Sequence, residues 1–143
     1  MAGAGIIAML SGLMISLQSV FNTNLKEAAG AWCTNTLTHG VGFLVSTIIL
    51  FCVRDTNVAG LKSINKLYLL GGVLGVGIVY TVIVAITKMG PAKATMIILF
   101  TQIIASYIIQ IFGLFGMEKT DFKWSSLLGI GIMLVGIVVF QHE

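Results

Sequence analysis

The stretch PAKATMIILFTQIIASYIIQIFGLFG, from Pro91 to Gly116, decides the fold class. It is apolar and long enough to cross a bilayer, because about 20 residues at about 1.5 Å each span the roughly 30 Å hydrocarbon core. Gln102, Ser106 and Gln110 follow one another at four-residue intervals within it, so they share one helix face. Unsatisfied amides in hydrocarbon cost several kcal/mol each. We therefore expect this face to point at protein or at a water-filled cavity.

The composition of the whole chain predicts an integral membrane protein. Of its 143 residues, 57% are hydrophobic and 9% are charged, whereas a soluble domain usually carries about 25% charged residues. The net charge of +3 comes from basic residues spread through short loops, unlike the clustered basic patches of nucleic-acid-binding proteins. No Lys or Arg precedes Lys26, so we expect the apolar start to be a retained helix rather than a signal peptide.

Five apolar segments predict an all-α integral membrane protein whose single membrane domain covers residues 1–143. The predicted transmembrane helices cover residues 3–25, 31–53, 67–87, 91–116 and 125–140. Because five is an odd number, the two termini are expected on opposite sides of the membrane.

The basic residues of the predicted loops divide five to three between the two membrane sides. The side of the N-terminus has Arg54, Lys62, Lys66, Lys119 and Lys123, and the opposite side has Lys26, Lys88 and Lys93. This bias leans towards a cytoplasmic N-terminus. So small a bias fits a dual-topology protein, and it also fits a protein whose partner has a fixed opposite orientation.

Polar side chains on the predicted helices are the candidate lining of a solute path. The candidates are Gln18, Asn22, His39, Tyr80, Gln102, Ser106 and Gln110. Amides, hydroxyls and imidazoles can hydrogen-bond a small polar solute, but they can also tie helices together at about 0.6–2 kcal/mol per bond. For each residue both interpretations stay open. Polar faces on three helices together favour a shared interior.

The predicted helices contain no Asp or Glu, because all five acidic residues fall in loops or at the C-terminus. Proton-coupled carriers of cations usually place a carboxylate in mid-membrane. His39 is the remaining candidate, apart from the tyrosines, for carrying a proton there. A structural histidine bonded to a neighbouring helix is the alternative. Tyr80 either reaches a cavity or is buried with a backbone partner.

Glycines indicate where helices pack closely. Gly71 and Gly75 form a Gly-x-x-x-Gly pair, which permits close backbone contact, with a ligand-facing groove as the alternative. The fifth helix carries Gly129 and Gly136 and has no polar stripe, so we expect an outer or dimer-forming role for it. The sequence shows no phosphate-binding loop, metal-ligand spacing or nucleophile–base pair, so neither an enzyme nor a metal or cofactor site is predicted.

Several short motifs recur in a specific order and spacing along nearly the whole chain. They are Gly12, Gln18 and Asn22 near the start, GGVLG at 71–75, KMGPAKA at 88–94, and Gln102 followed by Phe112-Gly113-Leu114. In these motifs the chain resembles the YdcZ-type family of the drug/metabolite transporter superfamily. The resemblance implies a multi-pass protein of the bacterial inner membrane that exports small solutes. It also implies antiparallel pairing, with an identical chain or a sibling, so that each chain is half of a ten-helix inverted-repeat transporter.

One position departs from the pattern that the resemblance implies. An acidic residue precedes the Phe-Gly-Leu run in that pattern, whereas this chain has Gln110 followed by Ile111. A glutamine cannot exchange a proton. We therefore expect the chain to rely on a sibling subunit, to use His39, or to transport without proton coupling. The sequence thus leaves two hypotheses: an alternating-access transporter subunit, or a non-transporting membrane partner of a sibling transporter.

Overall fold

The computed structural model describes residues 2–53 and 65–141. All regular structure in these ranges is helical, and five of the helices are long and apolar enough to cross a membrane. The predicted all-α membrane architecture with five spanning helices is therefore confirmed. Arg54 and Lys62, which were assigned to the side of the N-terminus, lie outside the described ranges. The chain divides into two compact units, Met1–Lys88 and Met89–Glu143.

The first unit is built on three helices. Helix α1 covers Ala2–Ala29 and α2 covers Ala31–Cys52, and a short 3-10 helix at Lys66–Leu70 leads into α3 at Gly71–Met89. Helix α1 continues four residues beyond its predicted end at Leu25, because the Gly30 amide still donates to the Lys26 carbonyl at 2.8 Å. The predicted link therefore shrinks to Gly30, whose φ of 80° and ψ of 159° belong to a region that only glycine adopts readily.

Polar contacts fix the helices of the first unit to one another. Thr38 on α2 donates to the side-chain oxygen of Asn22 on α1 at 2.9 Å. Asn35 on α2 donates from Nδ2 to the backbone carbonyl of Val76 on α3 at 2.8 Å. At one end of α3, Lys26 Nζ donates to the Thr87 hydroxyl at 3.2 Å. Helix α2 is thus tied to both of its neighbours in the sequence.

The second unit consists of α4 (Pro91–Phe112), a 3-10 turn (Leu114–Gly116) and α5 (Trp124–Gln141). Pro91 occupies the first turn of α4, where its missing N–H costs nothing. Helix α4 ends at Phe112 rather than at the predicted Gly116, because Gly113 adopts the left-handed conformation with φ 61° and ψ 36°. The amides of Gly113 and Thr120 donate to the Gln110 carbonyl at 3.3 and 3.1 Å. These bonds satisfy a carbonyl that the end of the helix leaves free.

Few apolar side chains are buried within the described parts of the chain. The buried set consists of Ile83, Ile86 and Ala94, while most large apolar residues are exposed. Soluble proteins do not leave apolar surface exposed on this scale. The exposed apolar faces are therefore suited to lipid or to other membrane helices.

Candidate functional site

A cleft of about 530 Å³ lies between α1 and α2 in the first unit, and Gln18, Asn22 and Thr38 line it among apolar side chains. Asn22 is buried at 8% exposure, and its amide oxygen accepts the Thr38 hydroxyl hydrogen. Gln18 is exposed one turn away and makes no side-chain hydrogen bond within the described chain. The structure thus brings Gln18 and Asn22 to one cleft, with Asn22 engaged in helix packing and Gln18 without a side-chain hydrogen bond to the described residues.

The contact between α2 and α3 contains His39 and the most deeply buried amide, Asn35. Asn35 is 2% exposed, and its Oδ1 has no hydrogen-bond partner among the residues that the structure describes. His39 Nδ1 lies 3.0 Å from the Asn35 carbonyl oxygen, which can only accept, so Nδ1 carries the proton in this contact. The opposite ring nitrogen, Nε2, lies so close to Gly75 that a Cβ there would be 3.3 Å away. This geometry supports a packing role for His39, and a proton-carrying role stays a prediction.

Tyr80 stacks on Trp32 across the same helix contact. Their ring centroids are 4.6 Å apart and their planes differ by 19°. Trp32 precedes Asn35 by three residues on α2, and Tyr80 follows Val76, the partner of Asn35, by four residues on α3. The stacked rings therefore extend the α2–α3 contact. Tyr80 therefore packs one face of its ring against Trp32, whether its hydroxyl reaches a cavity or a backbone partner.

A second polar cleft, of about 400 Å³, lies between α4 and α5 in the second unit. Its lining consists of Ile103, Ser106, Tyr107, Gln110, Ser126, Gly129, Ile130 and Met133. Two of the three residues predicted to share one face of this helix, Ser106 and Gln110, thus line the same cleft. Gln102 lies one turn earlier on α4, is exposed, and does not line this cleft.

The glycines expected in helix packing occupy different environments. Gly75 lies against His39, whereas a Cβ placed at Gly71, Gly129 or Gly136 would meet no other described part of the chain within 4 Å, its own helical turn aside. Gly129 lines the polar α4–α5 cleft, and Gly136 lines a separate apolar cleft of about 360 Å³. Dimer packing through α5 stays a prediction.

Three residues in these sites go beyond the sequence-based candidates. Asn35 has a recognisable signal, since it precedes His39 by four residues on the polar face of α2, but its carbonyl partner on α3 has none. Ser126 lies two residues after Trp124, on a helix that was expected to have no polar stripe. Tyr107 gives no periodic signal, yet its hydroxyl accepts from the Lys123 amide at 3.0 Å and donates to the Lys123 carbonyl at 3.1 Å.

None of the residues lining the two polar clefts is charged. Within residues 2–53 and 65–141, no group of three or more His, Cys, Asp or Glu side chains could hold a metal ion. The clefts therefore offer hydroxyl and amide groups among apolar side chains. Such a lining suits recognition of a small molecule by hydrogen bonding.

A family model described as "Putative inner membrane exporter, YdcZ" matches residues 4–139. The chain belongs to the YdcZ family. This membership and the five membrane-length helices support a multi-pass inner-membrane protein of an exporter family. Comparisons with curated proteins and with solved structures gave no match.

Gln110 contributes both its side chain and its backbone to the second unit. In this YdcZ-family chain its side chain lines the α4–α5 cleft, while its carbonyl closes the end of α4. The backbone around Gln110 is thus fixed by the fold. Its side chain is free of bonds to the other residues that the structure describes.

Proposed function

We propose that this YdcZ-family chain is a subunit of a small-solute exporter that works by alternating access as an antiparallel dimer in the bacterial inner membrane. The observation that carries the proposal is that each unit holds an open polar cleft lined by only two helices. Two helices cannot enclose a polar solute against lipid. A second chain in the inverted orientation supplies the missing walls, as inverted repeats do in transporters that bind substrate near the midplane.

The proposed path uses polar groups from both clefts. Gln18 and Asn22 contribute from the first unit, and Ser106 and Gln110 contribute from the second. Gln102, His39 and Tyr80 are further members of the proposed lining. Helix α5, through Gly129 and Gly136, is proposed to hold the two chains together.

The test is transport by the purified chain in proteoliposomes. A broad panel of small metabolites and drugs is offered to the chain alone, and to the chain with the product of a neighbouring gene of the same family. We expect saturable movement of at least one compound. The proposal is wrong if no compound of the panel moves under either condition.

The second candidate function is a non-transporting membrane partner that orients or stabilises a separate active carrier. Gln110 favours it, because an amide stands where the family resemblance implies an acid able to exchange protons. The variants Gln110→Asp and Gln102→Ala discriminate the two functions. A transporter subunit should change its transport rate or coupling with at least one of them. If both leave transport intact while deletion of the chain abolishes it, the partner function is supported.

A further inference from the structure

The α4–α5 cleft brings together three uncharged polar side chains, two from α4 and one from α5. They are Ser106, Gln110 and Ser126. Within the described residues, none of the three makes a side-chain hydrogen bond to the protein. Three free polar groups facing one cleft in a membrane protein need a partner, because leaving them unpaired in an apolar medium is costly.

Hydroxyls elsewhere on the membrane helices show how this cost is usually avoided. Thr101, on the same helix α4, donates to the Ile97 carbonyl one turn earlier at 2.9 Å. Ser11 and Ser19 on α1 do the same at 3.0 and 2.7 Å. Ser106 and Ser126 make no such bond. Their hydroxyls are therefore available to a bound molecule.

The fourth polar group of the cleft is already occupied. The Tyr107 hydroxyl both accepts from and donates to the Lys123 backbone, so it fixes the wall of the cleft rather than binding within it. The remaining lining is apolar and includes Ile103, Ile130 and Met133. A volume of about 400 Å³ falls within the roughly 300–1,000 Å³ of small-molecule sites.

We infer that Ser126 completes, with Ser106 and Gln110, a subsite for the hydroxyl or amide groups of an uncharged amphiphilic solute. Serine hydroxyls and the glutamine amide each donate and accept, so they match neutral groups that do both. The apolar part of the solute lies against Ile103, Ile130 and Met133. A charged solute would lose hydration without gaining a counter-charge from the cleft. This inference rests on the proposed exporter function and assigns its substrate class.

The experiment measures transport into proteoliposomes that contain the full-length chain, together with its family neighbour if activity requires it. The lead probe is chloramphenicol, which is a neutral amphiphile with hydroxyl and amide groups, within a panel of similar neutral compounds. Tetraphenylphosphonium is the cationic comparison. We expect transport of a neutral probe, and Ser126→Ala should raise its KM by about three- to tenfold, as expected for the loss of one hydrogen bond.

Ser125→Ala is the matched control, because Ser125 is adjacent, exposed and outside the cleft lining. It should keep the wild-type KM, and Ser126→Thr should restore most of the KM lost in Ser126→Ala. The inference is overturned, with the exporter function intact, if Ser126→Ala transports like wild type or if only the cation is carried. If the wild-type chain carries no compound of either kind, the exporter function and this inference both fail.

Discussion

At the scale of single residues, Asn35 links α2 to α3 through a hydrogen bond between helices, which stabilises packed membrane helices. Its Nδ2 donates to the Val76 carbonyl at 2.8 Å, and the residue is 2% exposed. We expect Asn35→Ala to lower the free energy of unfolding by about 1–2 kcal/mol, because the bond and its packing are lost. The effect is measured by heating the purified protein in detergent and quantifying the folded fraction at each temperature by size-exclusion chromatography.

Thr36→Ala is the control for this prediction. Thr36 is a neighbouring, exposed residue whose hydroxyl bonds only to the Trp32 carbonyl of its own helix. The unfolding temperature of Thr36→Ala should lie within about a degree or two of the wild-type value, because most surface substitutions change stability little. An Asn35→Ala protein as stable as Thr36→Ala would show that the α2–α3 bond contributes nothing.

Two glycines join consecutive helices in nearly the same backbone conformation. Gly30 has φ 80° and ψ 159°, and Gly90 has φ 81° and ψ 162°. Residues with a Cβ pay about 1–3 kcal/mol to occupy such regions. We therefore expect Gly30→Ala and Gly90→Ala each to lower the unfolding temperature, measured in the same assay.

The control for the glycine prediction is Gly40→Ala in the middle of α2. A Cβ built at Gly40 would meet no other described part of the chain within 4 Å, its own helical turn aside, and the backbone at Gly40 is helical. Alanine in a helix is favoured over glycine by about 0.5–1 kcal/mol, so this variant should be at least as stable as wild type. If all three variants behave alike, backbone conformation is not what requires glycine at positions 30 and 90.

At the scale of elements, Tyr107 fixes the connection between α4 and α5. Its hydroxyl makes both bonds to the Lys123 backbone, at 3.0 and 3.1 Å, next to the start of α5 at Trp124. Tyr107→Phe removes both bonds and keeps the ring, so we expect faster trypsin cleavage after Lys119 and Lys123. Limited proteolysis in detergent, with the fragments identified by mass spectrometry, measures the rate.

Tyr80→Phe provides the matching control for the proteolysis experiment. Tyr80 belongs to the first unit, and its ring stacks on Trp32 independently of the hydroxyl. Cleavage after Lys119 and Lys123 should therefore keep its wild-type rate. Equal cleavage rates in Tyr107→Phe and wild type would mean that other contacts hold the connection.

The number of helices could be predicted from the sequence, because five long apolar segments are not compatible with a soluble fold, but three helix ends could not. One of them is the start of α3, which was predicted at residue 67 and lies at Gly71 after a 3-10 helix. Around Lys26 the charged residues predicted a link between two helices, yet backbone hydrogen bonds continue the helix to Ala29. Around Gly113 the sequence stays apolar, yet a left-handed residue ends α4. Hydropathy predicts whether a segment lies in lipid or in water, whereas the end of a helix depends on backbone hydrogen bonds.

The candidate site divides in the same way. Four-residue spacing placed Gln18 beside Asn22 and Ser106 beside Gln110, because residues at i and i+4 share a helix face. Gln102 has the same spacing from Ser106 but does not line the α4–α5 cleft. The same rule says nothing about partners on another helix. Ser126 enters the cleft only through the packing of α5 on α4, and the pairing of Asn35 with a backbone carbonyl leaves no trace in side-chain spacing.

At the scale of the whole molecule, the proposed antiparallel pairing makes membrane orientation the decisive property. The chain has an odd number of membrane-length helices in its described part and a five-to-three division of basic residues. Lys and Arg in short loops set orientation by favouring the cytoplasm. A few substitutions should therefore move a population with both orientations towards either one.

Two charge variants with opposite bias test this pairing. Lys88→Gln with Lys93→Gln leaves the basic residues at five to one, and Lys66→Gln with Lys119→Gln and Lys123→Gln leaves them at two to three. A reporter at the C-terminus should detect both orientations for wild type. For each variant it should detect mainly one orientation, and the two variants should have opposite orientations.

We expect each variant alone to lose most transport in cells, because a chain of one orientation lacks an inverted partner. Expressing both variants together should restore it. Full transport by either variant alone would contradict a homodimer of inverted copies, and dependence on a family neighbour of fixed orientation would identify a heterodimer instead.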